Sequence, residues 1–490
     1  MSVAYFSRPR ESFLCSLNAP ARVFFSACMP HRSFLFRLHP EGTMATIGTL
    51  FVAFTITFAS EIKENHVMIK TFAIICFIAM YVVMVIKTKW RTYTAMAVAA
   101  LFIIFGVLPF GSIFGAVDWN VLLMISGTMI LVDYFIESKM PNRIADLLLD
   151  KSRNVMWVAV FMSLFSGAVS AFIDNVATVL MVAPVGLAIC KKLKINPVPM
   201  LLSIAVSSNL QGAATLVGDT TSIMLGAYAK MDFTHFFWMN GRPGIFFAVE
   251  LGALATVPVI MFLFRHDTQP VHCEEKTEVN DYFPSIMLCS VVVALILASF
   301  LPNKPAVTNG LLCCIFAAVT ALRHLLRTHS TEGWKHAMSQ FDYQTVLMLI
   351  SIFLVIGGLE QVGVIDDLSG IIASFGKSNL FLLYTVIVWG SVVISAFIDN
   401  IPYVATMLPV IRAVSMSLGI EPYLLYFGLL TGATLGGNLT PVGASANIAA
   451  TGILKKEGYE VSFQSFMKIG VPFTLTAVTV GYLFLWLVWK

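Results

Sequence analysis

Two aspartates stand in the middle of apolar sequence with the same neighbours. Residues 170–175 read SAFIDN, and residues 395–400 read SAFIDN again. Asp174 is followed by Asn175, and Asp399 by Asn400. A charged side chain at bilayer depth costs ~2.5–3.5 kcal/mol on insertion scales. An acid that recurs there needs a role that offsets this cost. Carboxylates beside amides can ligate sodium, so Asp174, Asn175, Asp399 and Asn400 are candidate ligands if sodium is the coupling ion. A desolvated carboxylate can instead carry a proton. The bland alternative is an acid at a loop tip in water. Each SAFIDN lies between two apolar arms, 154–173 and 176–190, then 379–398 and 401–418. The arms read either as full spans or as a re-entrant hairpin. Their short second arms, about 15 residues in the first case, favour re-entry. Irregular backbone at that depth is tolerated only inside protein or along a cavity.

A second constellation is SSNLQGAATLVGDTTS (207–222), matched by GATLGGNLTPVGASAN (432–447). Runs so rich in Gly, Thr, Ser and Asn do not make a plain lipid-facing helix; they read as unwound breaks. Freed carbonyls can coordinate a cation, and a half-helix N-terminus can face an anion. For Asn438, Thr440, Ser445 and Asn447 the alternative is hydrogen bonding between helices. For Asp219 it is pairing with a helix terminus. Glu250 reads either as part of an ion path or as a buried interhelical partner. Snorkelling is enough to explain Lys70 and Asp133 near span ends. The nine histidines fall in loops, flanks or the N-terminal segment, which gives no relay at the midplane.

These residues need a membrane-spanning frame, and composition supplies one. The chain has 490 residues, 58% hydrophobic and only 12% charged, with a mean hydropathy of +0.83. An ordinary soluble domain carries about 25% charged residues. This excludes a soluble enzyme, a disordered chain and a nucleic-acid partner, and makes membrane lipid the surroundings. The eight cysteines show no metal-ligand spacing and read as small apolar residues. Spans are predicted at about 45–60, 67–86, 94–110, 118–137, 198–229 (interrupted), 244–265, 284–300, 306–322, 342–360, 422–454 (interrupted) and 467–489.

Residues 1–43 form a basic extension with Arg8, Arg10, Arg22, Arg32 and Arg37. They are expected to be disordered or an upstream mis-start, with Met44 as the working start and 44–66 as an extra first helix. With this end inside, seventeen loop lysines and arginines fall inside and six outside, the bias expected of cytoplasmic loops. The reading is therefore a multi-pass protein of the plasma membrane with a cytoplasmic N-terminus. Trp119, Trp238, Trp334 and Trp489 sit where interface anchors belong.

The SAFIDN match extends at an offset of 225. Pro184 falls on Pro409, Gly212 on Gly437, Thr215 on Thr440 and Gly218 on Gly443, with about 19 of 55 positions identical from 170 to 224. Asp118-Trp119 matches Asp342-Tyr343 at offset 224. The units run 67–265 and 284–490, joined by a polar cytoplasmic linker, 266–283. Loop charge sets span 118–137 and its partner 342–360 in opposite directions. That is the inverted-repeat plan of secondary transporters, with the site near the midplane between repeats. The expected fold is an all-α polytopic membrane protein of about eleven transmembrane helices plus two re-entrant hairpins. Two inverted-topology repeats with broken helices make it up.

SAFIDN followed by GGNLTPVGASAN resembles the arsenite permease and sodium/proton antiporter family. That family sits in the ion transporter superfamily with the citrate transporters, the sodium–dicarboxylate symporters and the pigmentation P protein. The resemblance covers about 94–489. It implies two hairpins whose tips meet two broken helices near the midplane. By position the tips are Asp174, Asn175, Asp399 and Asn400. One break is Gly212, Thr215, Gly218, Asp219, Thr220 and Ser222. The other is Gly437, Asn438, Thr440, Gly443, Ser445 and Asn447. It also implies that a homodimer is possible. Dicarboxylate members usually carry Ser-Asn-Thr at the tips, where this chain has Asp-Asn-Val and Asp-Asn-Ile. Two aspartates repel a carboxylate substrate unless they are protonated or cation-bound.

The function expected is a secondary active transporter of a small ion, a carboxylate such as citrate or an arsenite-type anion. Sodium or protons would couple it by alternating access, and no other cofactor is expected. One charge crossing ~100 mV releases ~2.3 kcal/mol. The first alternative is a sodium/proton antiporter. From other classes come an ion channel and an intramembrane aspartyl protease. No GxxxxGK[ST] or HExxH run occurs.

Overall fold

In lipid every backbone polar group must be satisfied within its own segment, and the apolar runs of this chain accordingly fold as helices. The computed structural model describes residues 66–271, 277–376 and 379–490, all within one compact unit. The expected extension 1–43 and the first expected span, 45–60, lie outside the described residues, as do Glu274, Glu275 and Lys276 of the linker.

The helices are α1 (His66–Ile86), α2 (Arg91–Ile104), α3 (Trp119–Glu137), α4 (Met140–Lys151), α5 (Val155–Ser170), α6 (Asn175–Leu193), α7 (Val198–Gln211), α8 (Thr220–Tyr228), α9 (Ile245–Leu263) and α10 (Phe283–Ala298). They continue with α11 (Thr308–Thr328), α12 (Glu332–Gln340), α13 (Tyr343–Gln361), α14 (Val364–Gly376), α15 (Leu380–Ser395), α16 (Asn400–Leu418), α17 (Tyr423–Gly436), α18 (Ser445–Lys456) and α19 (Phe463–Trp489). Among the described residues eight of these, α1, α3, α6, α9, α11, α13, α16 and α19, are long and apolar enough to cross a membrane. The shorter apolar helices are α5, α10 and α15.

Helix bounds recur along the chain. α15, α16 and α17 begin and end 225 residues after α5, α6 and α7, and α13 follows α3 by 224. Each break is a short 3-10 turn, Gly212–Ala214 or Gly437–Leu439, after which the chain is extended at Thr215 or Thr440. Helices α7 and α17 form the centre. Every residue from Met200 to Gln211 and from Leu424 to Gly436 is buried. Around them pack α5, α6, α9, α15, α18 and α19.

Several expectations need correction. The second hairpin arms are not short: α6 and α16 have 19 residues each. In α6 the helix continues through Lys191 and Lys192, cations that suit a helix C-terminus. The expected helical fold holds, with one short addition among the described residues: Trp238–Met239 pairs antiparallel with Arg242–Pro243. Asn240 and Gly241 turn this hairpin with φ of 52° and 74°, the conformation a tight Asn-Gly turn requires. The amphipathic helices α4, α12 and α14 occupy stretches read as loops. Within the polar linker, Asn280 N–H donates to the Ser138 carbonyl at 3.0 Å and Thr277 N–H to Asp146 at 2.8 Å. Trp489 is no exposed anchor; it is 8% exposed and its Nε1 donates to the Pro243 carbonyl at 2.9 Å.

Candidate functional site

The site is built from helix starts. Asp174 precedes α6, and one carboxylate oxygen accepts the N–H groups of Val176 (3.0 Å) and Ala177 (3.2 Å). Asp399 precedes α16 and accepts the Ile401 N–H at 3.1 Å. Asp342 precedes α13 and accepts the Thr345 N–H at 3.0 Å. Each fills the cap position where a helix leaves N–H groups unpaired and partly positive. Asp219 precedes α8 but does not cap it. Its carboxylate accepts the Thr221 hydroxyl at 2.8 Å and the Asn400 amide at 3.3 Å. It is both a helix-terminus acid and a contact across the two halves.

Hairpin and break meet through main chain. The Thr215 hydroxyl donates to the Ala171 carbonyl, and Thr440 to the Ala396 carbonyl. A Cβ on Gly218 would stand 2.6 Å from the Gly212 carbonyl oxygen and 2.7 Å from that of Ser170. One on Gly443 would stand 2.6 Å from the Gly437 oxygen and 2.8 Å from that of Ala396. Only glycine allows this approach. Ser222 donates to the Gly212 carbonyl at 3.3 Å, and Asn447, 225 residues on, donates to Gly437 at 3.0 Å and Thr440 at 3.1 Å. These residues brace the breaks.

Between them lies a cavity of about 390 Å³ whose wall includes Asp174, Asn175, Asp219, Thr220, Asn400 and Ser445. Tips and post-break helix starts from both halves thus share one space. The rest of the wall comes from α3, α12 and the start of α13, with Asp133, His336 and Asp342. Among the described residues no lysine or arginine lines it. Five helix N-termini, those of α6, α8, α13, α16 and α18, end at this cavity, so their dipoles favour negative charge there. The aspartates already supply it.

The two SAFIDN acids are not equivalent. Asp399 pairs with Arg91, the first residue of α2, and accepts the Ser445 hydroxyl at 3.1 Å. Arg91 also donates to Ser445 at 3.1 Å. Asp174 pairs with no lysine or arginine among the described residues. The second difference is Asp219 itself, whose counterpart at offset 225 is Ala444. The first half therefore brings two acids, and the second brings one acid, with which Arg91 of the first half pairs. Asp399 turns towards α1 and α2 and does not line the shared cavity.

Sequence reasoning missed several participants. Arg91 looks like any basic flank of a span. Asn209 lies inside the first break motif, yet it faces Thr434 in the repeat and drew no notice. Its amide donates to the Thr434 carbonyl at 2.7 Å and to Asn438 at 3.1 Å, while Asn175 donates to it at 2.8 Å. Asp133 meets His336 at 3.2 Å on the cavity wall, and Lys70 reaches the exposed Asp367 at 2.6 Å. Among the described residues no group of three His, Cys, Asp or Glu side chains forms a metal cage.

A helical membrane protein whose paired broken helices meet at a shared cavity carrying acids and amides is a transporter by class, and comparison with known proteins agrees. The sequence profile of the citrate transporter family, CitMHS, matches residues 81–432. The chain belongs to that family. An uncharacterized transporter of Mycobacterium tuberculosis (strain H37Rv) is 29% identical over 85% of this chain and 97% of its own length. The P protein of Homo sapiens is 24% identical over 83% of this chain, which spans 58% of that protein. Among solved structures, the YdaH transporter of Alcanivorax borkumensis matches with a TM-score of 0.53 at 13% identity, over 77% of this chain and 87% of its own. MtrF of Neisseria gonorrhoeae, from a class of antimetabolite efflux pumps, matches with 0.51 at 15% identity, over 76% and 82%. At these identities the structures share the fold. Family and relatives are transporters, not enzymes.

Proposed function

We propose that this chain is a secondary active transporter that carries a small ion through the cavity at Asp174 and Asp219, coupled to sodium or protons. The observation that carries the reading is the shared cavity. Asp174 and Asn175 of one half and Asn400 and Ser445 of the other line the same space. Its volume, about 390 Å³, falls within the ~300–1,000 Å³ usual for small-molecule sites.

Alternating access finds support in a second cavity of about 480 Å³. It is lined by other stretches of the same helices: Asn120 of α3, Tyr228 of α8, Glu360 of α13 and, at mid-helix, Leu408 of α16. With the loop-charge orientation, the first cavity would open towards the cytoplasm and the second to the opposite side. A small anion such as citrate suits the five helix N-termini, provided protons or cations enter with it to offset the carboxylates. The sodium/proton antiporter reading is favoured by one specific observation, the absence of lysine and arginine among the described lining residues.

The test is uptake of labelled citrate into proteoliposomes under imposed sodium or pH gradients. Asp174→Asn and Asp219→Asn are expected to lower gradient-driven uptake at least tenfold, a change of about 1.4 kcal/mol. Sodium–proton exchange without citrate uptake would select the antiporter. Wild-type transport of every solute by both variants would remove the cavity from the mechanism.

A further inference from the structure

Among the described residues the cavity wall carries no lysine or arginine, yet one guanidinium stands directly behind it. Ser445 lines the cavity, and its hydroxyl is shared between Arg91 and Asp399. Arg91 is the first residue of α2, half-buried and closed off from the cavity by this triad. Its partner does two things at once. One oxygen of Asp399 caps α16 while the other takes Arg91 and Ser445. The equivalent cap at α6 is made by Asp174 with no guanidinium, so helix capping alone does not call for Arg91. Nor does anchorage of the second hairpin to the α1–α2 pair, since the Tyr81 hydroxyl already donates to the Pro402 carbonyl at 2.8 Å.

We propose that Arg91 is the anion-recognition residue of this transporter, held in reserve by Asp399. An anion that reaches Ser445 replaces the Asp399 carboxylate on the guanidinium, exchanging one charge-assisted pair for another. Asp399 keeps its cap on α16 and turns to the entering cation or proton. The charged groups around it are then Arg91, Asp174 and Asp219. Arginine suits this role because its planar fork holds a carboxylate through two hydrogen bonds and stays charged. The inference rests on the cavity being the transport site and adds the residue that chooses anions.

The experiment is thermal unfolding of the purified full chain in detergent, titrated with citrate at constant ionic strength. Wild type is expected to show a saturable rise in Tm. Asp399→Asn keeps the cap oxygen but removes the competitor, so half-saturation should come at about tenfold lower citrate. Arg91→Lys should weaken the response, and Arg91→Gln should abolish it. If Arg91→Gln unfolds early, the neutral pair Arg91→Gln with Asp399→Asn replaces it. A wild-type response from that pair, or no saturable response from wild type, overturns the inference. Failure of the cavity reading shows separately: Asp219→Asn would then transport normally. If Asp219→Asn loses transport while the arginine variants bind citrate like wild type, only the role of Arg91 falls.

Discussion

Asn209 and Asn438 join the two halves side chain to side chain. The Asn209 amide donates to the Asn438 carbonyl oxygen at 3.1 Å, and the Asn438 amide donates to the Val206 carbonyl at 2.9 Å. Both asparagines are fully buried. Asn209 also receives Asn175, so the hairpin tip, the first central helix and the second break share one network.

Removing Asn209 should therefore be expensive. Asn209→Ala leaves the Asn175 amide and the Asn438 oxygen unpaired in the core, at about 1–3 kcal/mol per buried group. Thermal unfolding in detergent should show a clear drop in Tm. The double variant with Asn438→Ala should lose less than the sum of the singles. An unchanged Tm in Asn209→Ala would show that the network carries no stability.

The glycines at the crossings give a sharper contrast. Gly218→Ala and Gly443→Ala push a methyl group into carbonyl oxygens, and overpacking of this kind costs roughly 1–3 kcal/mol. Expression should fall and transport should be lost. Gly390→Ala and Gly452→Ala meet nothing within 4 Å and should behave as wild type. Equal tolerance at all four positions would contradict the close approach of the two backbones.

The interface of α3 and α11 depends on small residues in the same way. A side chain at Gly127 would run into the Cys313 backbone, and one at Gly310 into Leu123 and Asn120. The Asn120 side chain accepts the Gly310 N–H at 2.8 Å. Gly127→Leu should prevent correct assembly, seen as aggregation in gel filtration, whereas Gly370→Leu, with open space at its Cβ, should remain monodisperse.

Outside the spans, Asp281 predicts a pH effect. Partial burial pushes its carboxyl up. The Arg323 hydrogen bond at 2.6 Å, the Phe283 N–H at 3.0 Å and the Arg327 charge at 2.9 Å outweigh this and hold it below its ordinary value. A lowered folded-state value means that the stabilisation is fully present above the unfolded value of about 3.9 and is lost as pH falls through the folded one. Asp281→Asn should cost about 0.2–1 kcal/mol at neutral pH. The gap in Tm between variant and wild type should close on acidification below about pH 3.9. A gap that persists there would place the effect elsewhere than in charge.

Much of this architecture is legible in the residues alone. Apolar runs set most helix positions within a few residues, because burial in lipid leaves the chain little choice. The twin SAFIDN runs and the glycine-rich breaks mark out segments that meet at the cavity, because repetition marks residues that composition alone hides. Arg91 is not legible: a cation beside a span looks the same whether it faces headgroups or a buried acid. Asn209 escapes because its partners are 225 and 229 residues away, and no local spacing encodes such contacts. Helices α4, α12 and α14 escape because their mixed composition resembles that of loops.

The glycine crossings bear on how such a molecule can move. Side chains packed together can slide by changing rotamers; carbonyl oxygens resting on a bare Cα have no such freedom. Segment 170–175 is thus locked to 212–218, and 395–400 to 437–443, each pair forming a solid block. Shear is left to the planes where side chain meets side chain.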